Sequence, residues 1–256
     1  TLSLHDALPI SVVAREDEKS YSREVVTVLT RDFLQKADCK TAFGAIEESL
    51  LLTPEQRAAS LACTLSRRPD HSPVWVFGYG SLMWNPVFES EEVRPAILQG
   101  WHRAFCMRLT AGRGTLHQPG RMLALKEGGQ TTGLAFRLPE GKLREELELL
   151  WKREMITDCY VPTWCELQLE GGEAVTALVF VMNPQHPLFE ADTSHQVIAP
   201  LIASASGPLG TNAQYLFALD NELKHHGMQD DCIGDLVRYV QQWLQQNRPG
   251  DRKSVV

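Results

Sequence analysis

The stretch Val74-Trp75-Val76-Phe77-Gly78-Tyr79-Gly80-Ser81-Leu82-Met83-Trp84-Asn85-Pro86 constrains this chain more than any other. Val74 to Phe77 read as a buried strand, and the apolar run then breaks into glycine, tyrosine, glycine and serine. Lacking a Cβ, Gly78 and Gly80 permit backbone torsions and close approaches that other residues forbid. A turn built this way exposes main-chain N–H groups. Together with the Ser81 hydroxyl they can hydrogen-bond a carboxylate or a developing oxyanion at fixed positions. An ordinary glycine-containing turn after a strand has the same pattern, so the motif defines a place before it defines a chemistry.

The ends of the chain read as foreign to it. His5 to Ile10 can be encoded by the reverse complement of codons for Asp251 to Val256, a pairing that chance rarely produces. No methionine precedes Met83, and a valine codon near Val28 is the expected natural start. Residues 1–27 are therefore read as a non-native or disordered leader and 249–256 as a non-native tail, both excluded from fold reasoning. The remainder is long enough for one substantial domain with a helical appendage, and a hydrophobic fraction of 43% permits a full core.

A formal net charge of -7 argues against a general nucleic-acid binder, which relies on Lys and Arg to neutralise phosphates. No apolar run approaches the roughly 20 residues of a membrane span, and nothing resembles a signal peptide, so a soluble cytoplasmic protein is expected. Cys39, Cys63, Cys106, Cys159, Cys165 and Cys232 are scattered without CxxC pairs and read as reduced structural thiols. The adjacent His225 and His226 would point to different faces of a helix, so no metal site is expected. Nothing in the residues calls for a cofactor.

Residues 31 to 67 read as a helical hairpin, with Ala42, Ile46 and Leu50 as one stripe and Thr53-Pro54-Glu55-Gln56 as a capping box with proline at the first helical position. Arg68 to Pro73 is a breaker cluster, after which the main domain begins near Val74. The division expected is thus an N-terminal helical extension over 28–73 and a main domain over 74–248. Strands are predicted at Val74 to Phe77, Val93 to Gln99, Trp101 to Leu109, Met122 to Lys126, Thr132 to Arg137, Tyr160 to Leu169 and Ala174 to Met182, giving a mixed or closed sheet. Helices are predicted at about 140 to 154, 194 to 205, Thr211 to Lys224 with a second capping box, and 229 to 247.

Within Lys142 to Glu154, the residues Leu143, Leu147, Leu150 and Trp151 trace one face, and the same face then delivers Glu154 where an aliphatic residue belongs. Desolvation disfavours the charged form, so a carboxyl there has a raised pKa and can exchange a proton near neutrality. An ion pair with Arg153, Lys152 or another cation at the helix end explains the same position equally well. Glu145, Glu146 and Glu148 fall largely off the stripe and read as solvated surface. Ser81 lacks a GxSxG context and no cysteine sits in a hydrolase pattern, so the equipment suits a substrate that supplies its own nucleophile.

Val76-Phe77-Gly78-Tyr79-Gly80-Ser81-Leu82-Met83-Trp84, Pro119-Gly120-Arg121, Gly133 to Pro139, Arg153-Glu154 and Gly207 to Leu216 occur in an order that closely resembles the ChaC family of γ-glutamylcyclotransferases, which cleave glutathione. The resemblance covers roughly residues 74 to 225, and the segment at 31 to 67 looks like the N-terminal extension of bacterial members. It implies an α+β fold, a small closed mixed β-barrel flanked by helices. The γ-glutamyl group would sit on Val76, Phe77, Gly78, Tyr79, Gly80, Ser81 and Leu82, with Glu154 matching the family's catalytic acid. Glutathione would be the partner and 5-oxoproline with Cys-Gly the products. Arg121, Tyr160 and Tyr215 match family positions. Arg121 could fork onto a carboxylate or hold a structural ion pair, and the two tyrosines could touch substrate or satisfy buried hydrogen bonds. Where several relatives carry two glycines before a tyrosine, this chain has Asp158-Cys159-Tyr160. Another γ-glutamyl amine or dipeptide as substrate, or a regulatory protein that binds γ-glutamyl compounds without turnover, are the alternative readings.

Overall fold

The structure, a computed structural model, describes residues 29–36, 44, 46–69 and 73–247. The leader, the tail, Cys39 and Ala42 lie outside the described residues.

Five strands close into a barrel: β1 (Trp75–Gly78), β2 (Glu92–Leu109), β3 (Gly120–Arg137), β4 (Tyr160–Leu169) and β5 (Ala174–Met182). Around the barrel the order is β1-β3-β2-β4-β5. Neighbours run antiparallel except β1 and β5, where Trp75 aligns with Ala177 and Val76 with Leu178 in parallel. That single parallel seam makes the barrel mixed, and every residue of β1 is buried.

Two expectations about strands change. Val93 to Gln99 and Trp101 to Leu109 form one strand, as do Met122 to Lys126 and Thr132 to Arg137. The glycines that read as chain breaks are bulges: Gly100 has φ +81° and Gly128 and Gly129 have φ +103° and +68°, and the register slips between Gln99 and Trp101 where they meet. A left-handed glycine bends a long ribbon without ending it, which lets both strands curl around the barrel.

The helices are α1 (Arg31–Gln35), α2 (Pro54–Ser66), α3 (Leu143–Glu154), α4 (His195–Ser204), α5 (Asn212–His225) and α6 (Asp231–Gln246). Both capping boxes are present, Thr53 with Gln56 and Thr211 with Gln214. The expected stripe through Ile46 and Leu50 is not one helix face. Ile46 lies in no helix, Leu50 ends a single 3-10 turn over Glu48–Leu50, and Leu51 bridges Thr157 while Leu52 N–H donates to the Ile156 carbonyl (2.9 Å). That backbone is committed to extended pairing beyond the end of α3, and Pro54 then starts a new helix.

α3 lies against the barrel through Leu147, Leu150 and Trp151. The Trp151 ring packs edge-on to Phe180 of β5 with centroids 5.4 Å apart, and its Nε1 donates to Ser60 Oγ of α2 (3.2 Å). On α6, Ile233, Leu236, Val237 and Val240 form one buried face, with Leu244 partly buried.

Candidate active site

Leaving β1, the chain turns at Gly78 to Trp84, closed by Met83 N–H to the Gly80 carbonyl and Asn85 N–H to the Ser81 carbonyl (both 2.9 Å). Neither Gly78 nor Gly80 has a left-handed φ. Close approach is what requires them. A Cβ on Gly78 would meet Phe136 Cε2 at 2.8 Å, and one on Gly80 would meet the Tyr215 hydroxyl at 2.8 Å and Leu123 Cδ2 at 3.1 Å. Val76, Phe77 and Leu82 point their side chains into the core, so they can offer a ligand only backbone. Val76, Phe77 and Gly78 already pair with β3, which leaves Tyr79 to Leu82 as the part of the turn outside the barrel ladder, with Ser81 partly exposed.

The turn is held by a buried side chain that the apolar pattern concealed. Arg103, buried on β2, donates through Nε to the Tyr79 carbonyl (2.7 Å) and through Nη2 to the Thr132 carbonyl (2.5 Å), and pairs with Asp230 Oδ2 through Nη1 (3.0 Å). Asp230 is also the N-cap of α6. An arginine in the middle of an apolar strand run was the available signal, because a buried cation must find several acceptors.

Glu154 closes α3 with its side chain 16% exposed. Its Oε1 lies 2.9 Å from Arg153 Nε. Arg153 in turn donates through Nη2 to Ser81 Oγ (2.7 Å) and through Nη1 to the Asn85 carbonyl, so one guanidinium joins the glycine turn to the carboxyl. The ion pair that the sequence offered Glu154 is thus present, and the carboxyl is also largely withdrawn from water. Burial raises its pKa, and the charge and hydrogen bond of Arg153 only partly oppose this.

Three tyrosines surround the acid. Tyr79 donates to the Phe180 carbonyl (2.7 Å) and Tyr160 to the Leu123 carbonyl (2.9 Å). Burial raises both hydroxyl pKa values well above the usual range, and the Glu154 charge adds to this. Tyr215 rises to about 12 through burial and the Glu154 charge, opposed by Arg153 and by hydrogen bonds from Ser81. Trp84 stacks at a tilt on Tyr215, with centroids 5.5 Å apart. The structure thus gathers Tyr79, Gly80, Ser81, Glu154, Tyr160 and Tyr215.

Arg121 takes the ion-pair form of its two readings. Its Nη2 lies 3.6 Å from Glu190 Oε2, and Glu190 also accepts from Arg108 Nε at 2.7 Å. Its main-chain N–H is held by Asn212 Oδ1 at 2.7 Å. Its charged neighbours are Glu190, Arg108 and Asp192.

Glu146 corrects the expectation of solvated surface. It is 0% exposed, accepts from Arg31 Nη1 at 2.6 Å and Nη2 at 2.9 Å, and accepts the Glu89 N–H at 2.9 Å. Periodicity within α3 sees only the face turned to the barrel. The flank of Glu146 is covered by α1, which arrives from far along the chain.

A family model described as "ChaC-like protein" matches residues 74–243. The chain is 68% identical over 222 residues to the glutathione-specific γ-glutamylcyclotransferase of Escherichia coli K12, covering 87% of this chain and 96% of that protein. This chain belongs to the ChaC-like family. A mouse glutathione-specific γ-glutamylcyclotransferase 1 is 32% identical over 177 residues, 67% of this chain and 79% of its own length. Among solved structures, a yeast γ-glutamyl cyclotransferase specific to glutathione shares the fold with a TM-score of 0.62 at 22% identity, covering 68% of this chain and 97% of the yeast chain.

In this ChaC-like protein, Asp158-Cys159 carries its own contacts. Cys159 Sγ lies 3.3 Å from His186 Nδ1 and accepts from Thr157 Oγ1 at 3.0 Å, while His186 Nε2 faces Asp158 Oδ1 at 3.2 Å. Burial raises the Cys159 thiol to about 11, so it stays protonated and structural. Among the described residues no group of three or more His, Cys, Asp or Glu could hold a metal ion, and no helix is long and apolar enough to cross a membrane.

Proposed function

We propose that this ChaC-like protein is a cytoplasmic γ-glutamylcyclotransferase that converts glutathione to 5-oxoproline and Cys-Gly. One observation carries the reading: a desolvated carboxyl, Glu154, tied through Arg153 to the hydroxyl of a glycine turn that shuts off β1. The E. coli relative, alike over nearly its whole length, is named for this reaction.

The γ-glutamyl carboxylate and the γ-carbonyl oxygen lie on main-chain N–H groups of Tyr79 to Leu82. Glu154, as carboxylate, takes a proton from the substrate's α-amino nitrogen, and this nitrogen attacks the γ-carbonyl carbon. As the tetrahedral centre collapses, the bond to the cysteinyl nitrogen breaks and Glu154 returns the proton to that departing amine. No water is consumed, and the two products together contain every atom of glutathione. A raised pKa suits both halves of the cycle, because the group must take a proton and give it back. Ring closure is intramolecular, so orientation supplies much of the acceleration and no protein nucleophile is required.

Glutathione also carries a glycyl carboxylate, and Arg113 suits it. Its Nη1 donates to the Thr211 carbonyl (3.0 Å) at the cap of α5, the helix that carries Tyr215. Burial lowers its pKa, Tyr215 is the ionisable group acting on it, and among the described residues it has no carboxylate partner. A half-buried cation in that state gains by pairing with an anion.

Mass-spectrometric product analysis on glutathione tests the reading. The expected result is 5-oxoproline and Cys-Gly in equal amounts from the wild-type chain and neither from Glu154→Gln. Equal turnover by the variant would remove Glu154 from the chemistry, and no product from a folded wild-type chain would remove glutathione as substrate.

A further inference from the structure

The contacts of the N-terminal segment converge on the candidate site. Leu29 offers its carbonyl to Asn85 Nδ2 at 2.9 Å, and the carbonyl of that same Asn85 accepts from Arg153. Arg31 reaches the Val87 carbonyl at 3.5 Å while gripping both oxygens of Glu146. Glu146 fixes the Glu89 N–H, and Lys152 Nζ donates to the Leu34 carbonyl at 3.2 Å. Residues 85–89 belong to no helix or strand, and Val87 holds φ +60°, a left-handed conformation that a β-branched residue adopts only when its surroundings impose it. Arg31 Nη1 lies against the Val87 carbonyl, and Glu146 holds the Glu89 N–H two residues further on.

We propose that Arg31 is a positioning residue for the site, fixing residues 85–89 against α3 so that the Asn85 carbonyl holds Arg153 between Ser81 and Glu154. The inference rests on the cyclotransferase reading for its kinetic consequence and on geometry alone for its structural one. Without Arg31, Glu146 is a buried carboxylate short of its cation, Val87 relaxes, and the segment that carries the Asn85 carbonyl shifts. Arg153 then loses its third anchor. The groups that face Glu154 are Arg153, Tyr79, Tyr160 and Tyr215, and Arg153 alone among them favours its ionised form.

The test compares wild type, Arg31→Ala, Arg31→Lys and Arg31→Ala with Glu146→Gln, all in the full chain. Three quantities are read: kcat and KM for 5-oxoproline release, the thermal midpoint, and the titration of the Glu154 carboxyl by 13C NMR, assigned by difference from Glu154→Gln. Arg31→Ala is expected to lower kcat by about tenfold with KM nearly unchanged, as for an interaction that acts on the transition state, and to move the Glu154 titration upward. Arg31→Lys should recover part of both. The double variant should regain the midpoint, since no buried charge is stranded, while kcat and the titration stay displaced. Recovery of all three in the double variant would overturn the proposal, as would wild-type kcat and titration in Arg31→Ala. A wild-type chain inactive on glutathione would end the cyclotransferase reading alone, because the Glu154 titration still reports what Arg31 does.

Discussion

Helix α3 carries two carboxylates withdrawn from water, Glu146 fully and Glu154 with 16% of its side chain exposed, roughly two turns apart, and the structure drives their ionisation in opposite directions. For Glu146, burial pushes the pKa up, but the Arg31 hydrogen bonds and charge and the Glu89 N–H outweigh it, so the net movement is down. At Glu154, burial again pushes up, and a single arginine already shared with Ser81 and Asn85 does not offset it. Burial alone therefore says nothing about whether an acid is a structural anion or a proton carrier. The number of donors aimed at its two oxygens decides.

The sharpest way to break this comparison is kinetic. Glu154→Gln keeps the shape and removes the base, and turnover of glutathione should fall by about a thousandfold, within the span typical of general acid–base groups. Glu146→Gln touches no reacting atom and should fall far less. Steady-state assays of both variants decide whether the two acids differ in role.

Stability should rank them in reverse. Glu146→Gln weakens a charge-assisted bidentate pair and should cost about 2–3 kcal/mol at neutral pH, whereas Glu154→Gln relieves an ill-satisfied buried charge and should be neutral or stabilising. The pH dependence carries the same contrast. Glu146 has its folded pKa below the ordinary 4.5, so its contribution is present above that value and is lost as pH falls through the folded pKa. Glu154 has its folded pKa above 4.5, so stability present below 4.5 is lost as pH rises through the folded pKa. Urea unfolding across pH, wild type against each variant, should show difference curves of opposite slope. The rate should rise with pH through the raised Glu154 pKa, since the carboxylate is the form that accepts the proton.

The smallest expected effect lies at the rim. Arg113→Ala should raise KM for glutathione by about tenfold, the worth of one partly solvated charge-assisted contact, and leave a glutathione esterified at glycine almost unaffected. An equal loss on both substrates would detach Arg113 from the glycyl carboxylate.

Much of this was legible beforehand where signals are local. β4 and β5 fall at Tyr160–Leu169 and Ala174–Met182 as predicted, and both capping boxes close as their spacing required. The stripe on α3 led to Glu154, and the glycines led to the turn it faces. Reading failed where a local sign had two physical meanings. Gly100, Gly128 and Gly129 look like chain breaks yet bend continuous strands, and Glu146 looks like surface because the helix that covers it lies elsewhere in the sequence.

By itself, then, the sequence determined the strand, the turn, the helix with an acid on its apolar face, and the family to which these belong. Only the tertiary structure decided how that acid is tuned. Arg31 meets Glu146 across 115 residues, Arg153 meets Ser81 across 72, and Arg103 meets Asp230 across 127. Periodicity extends over a few turns of helix or a few residues of strand, so it cannot encode which distant side chain arrives to share a buried charge. That pairing follows from closing the barrel and folding the N-terminal segment onto it.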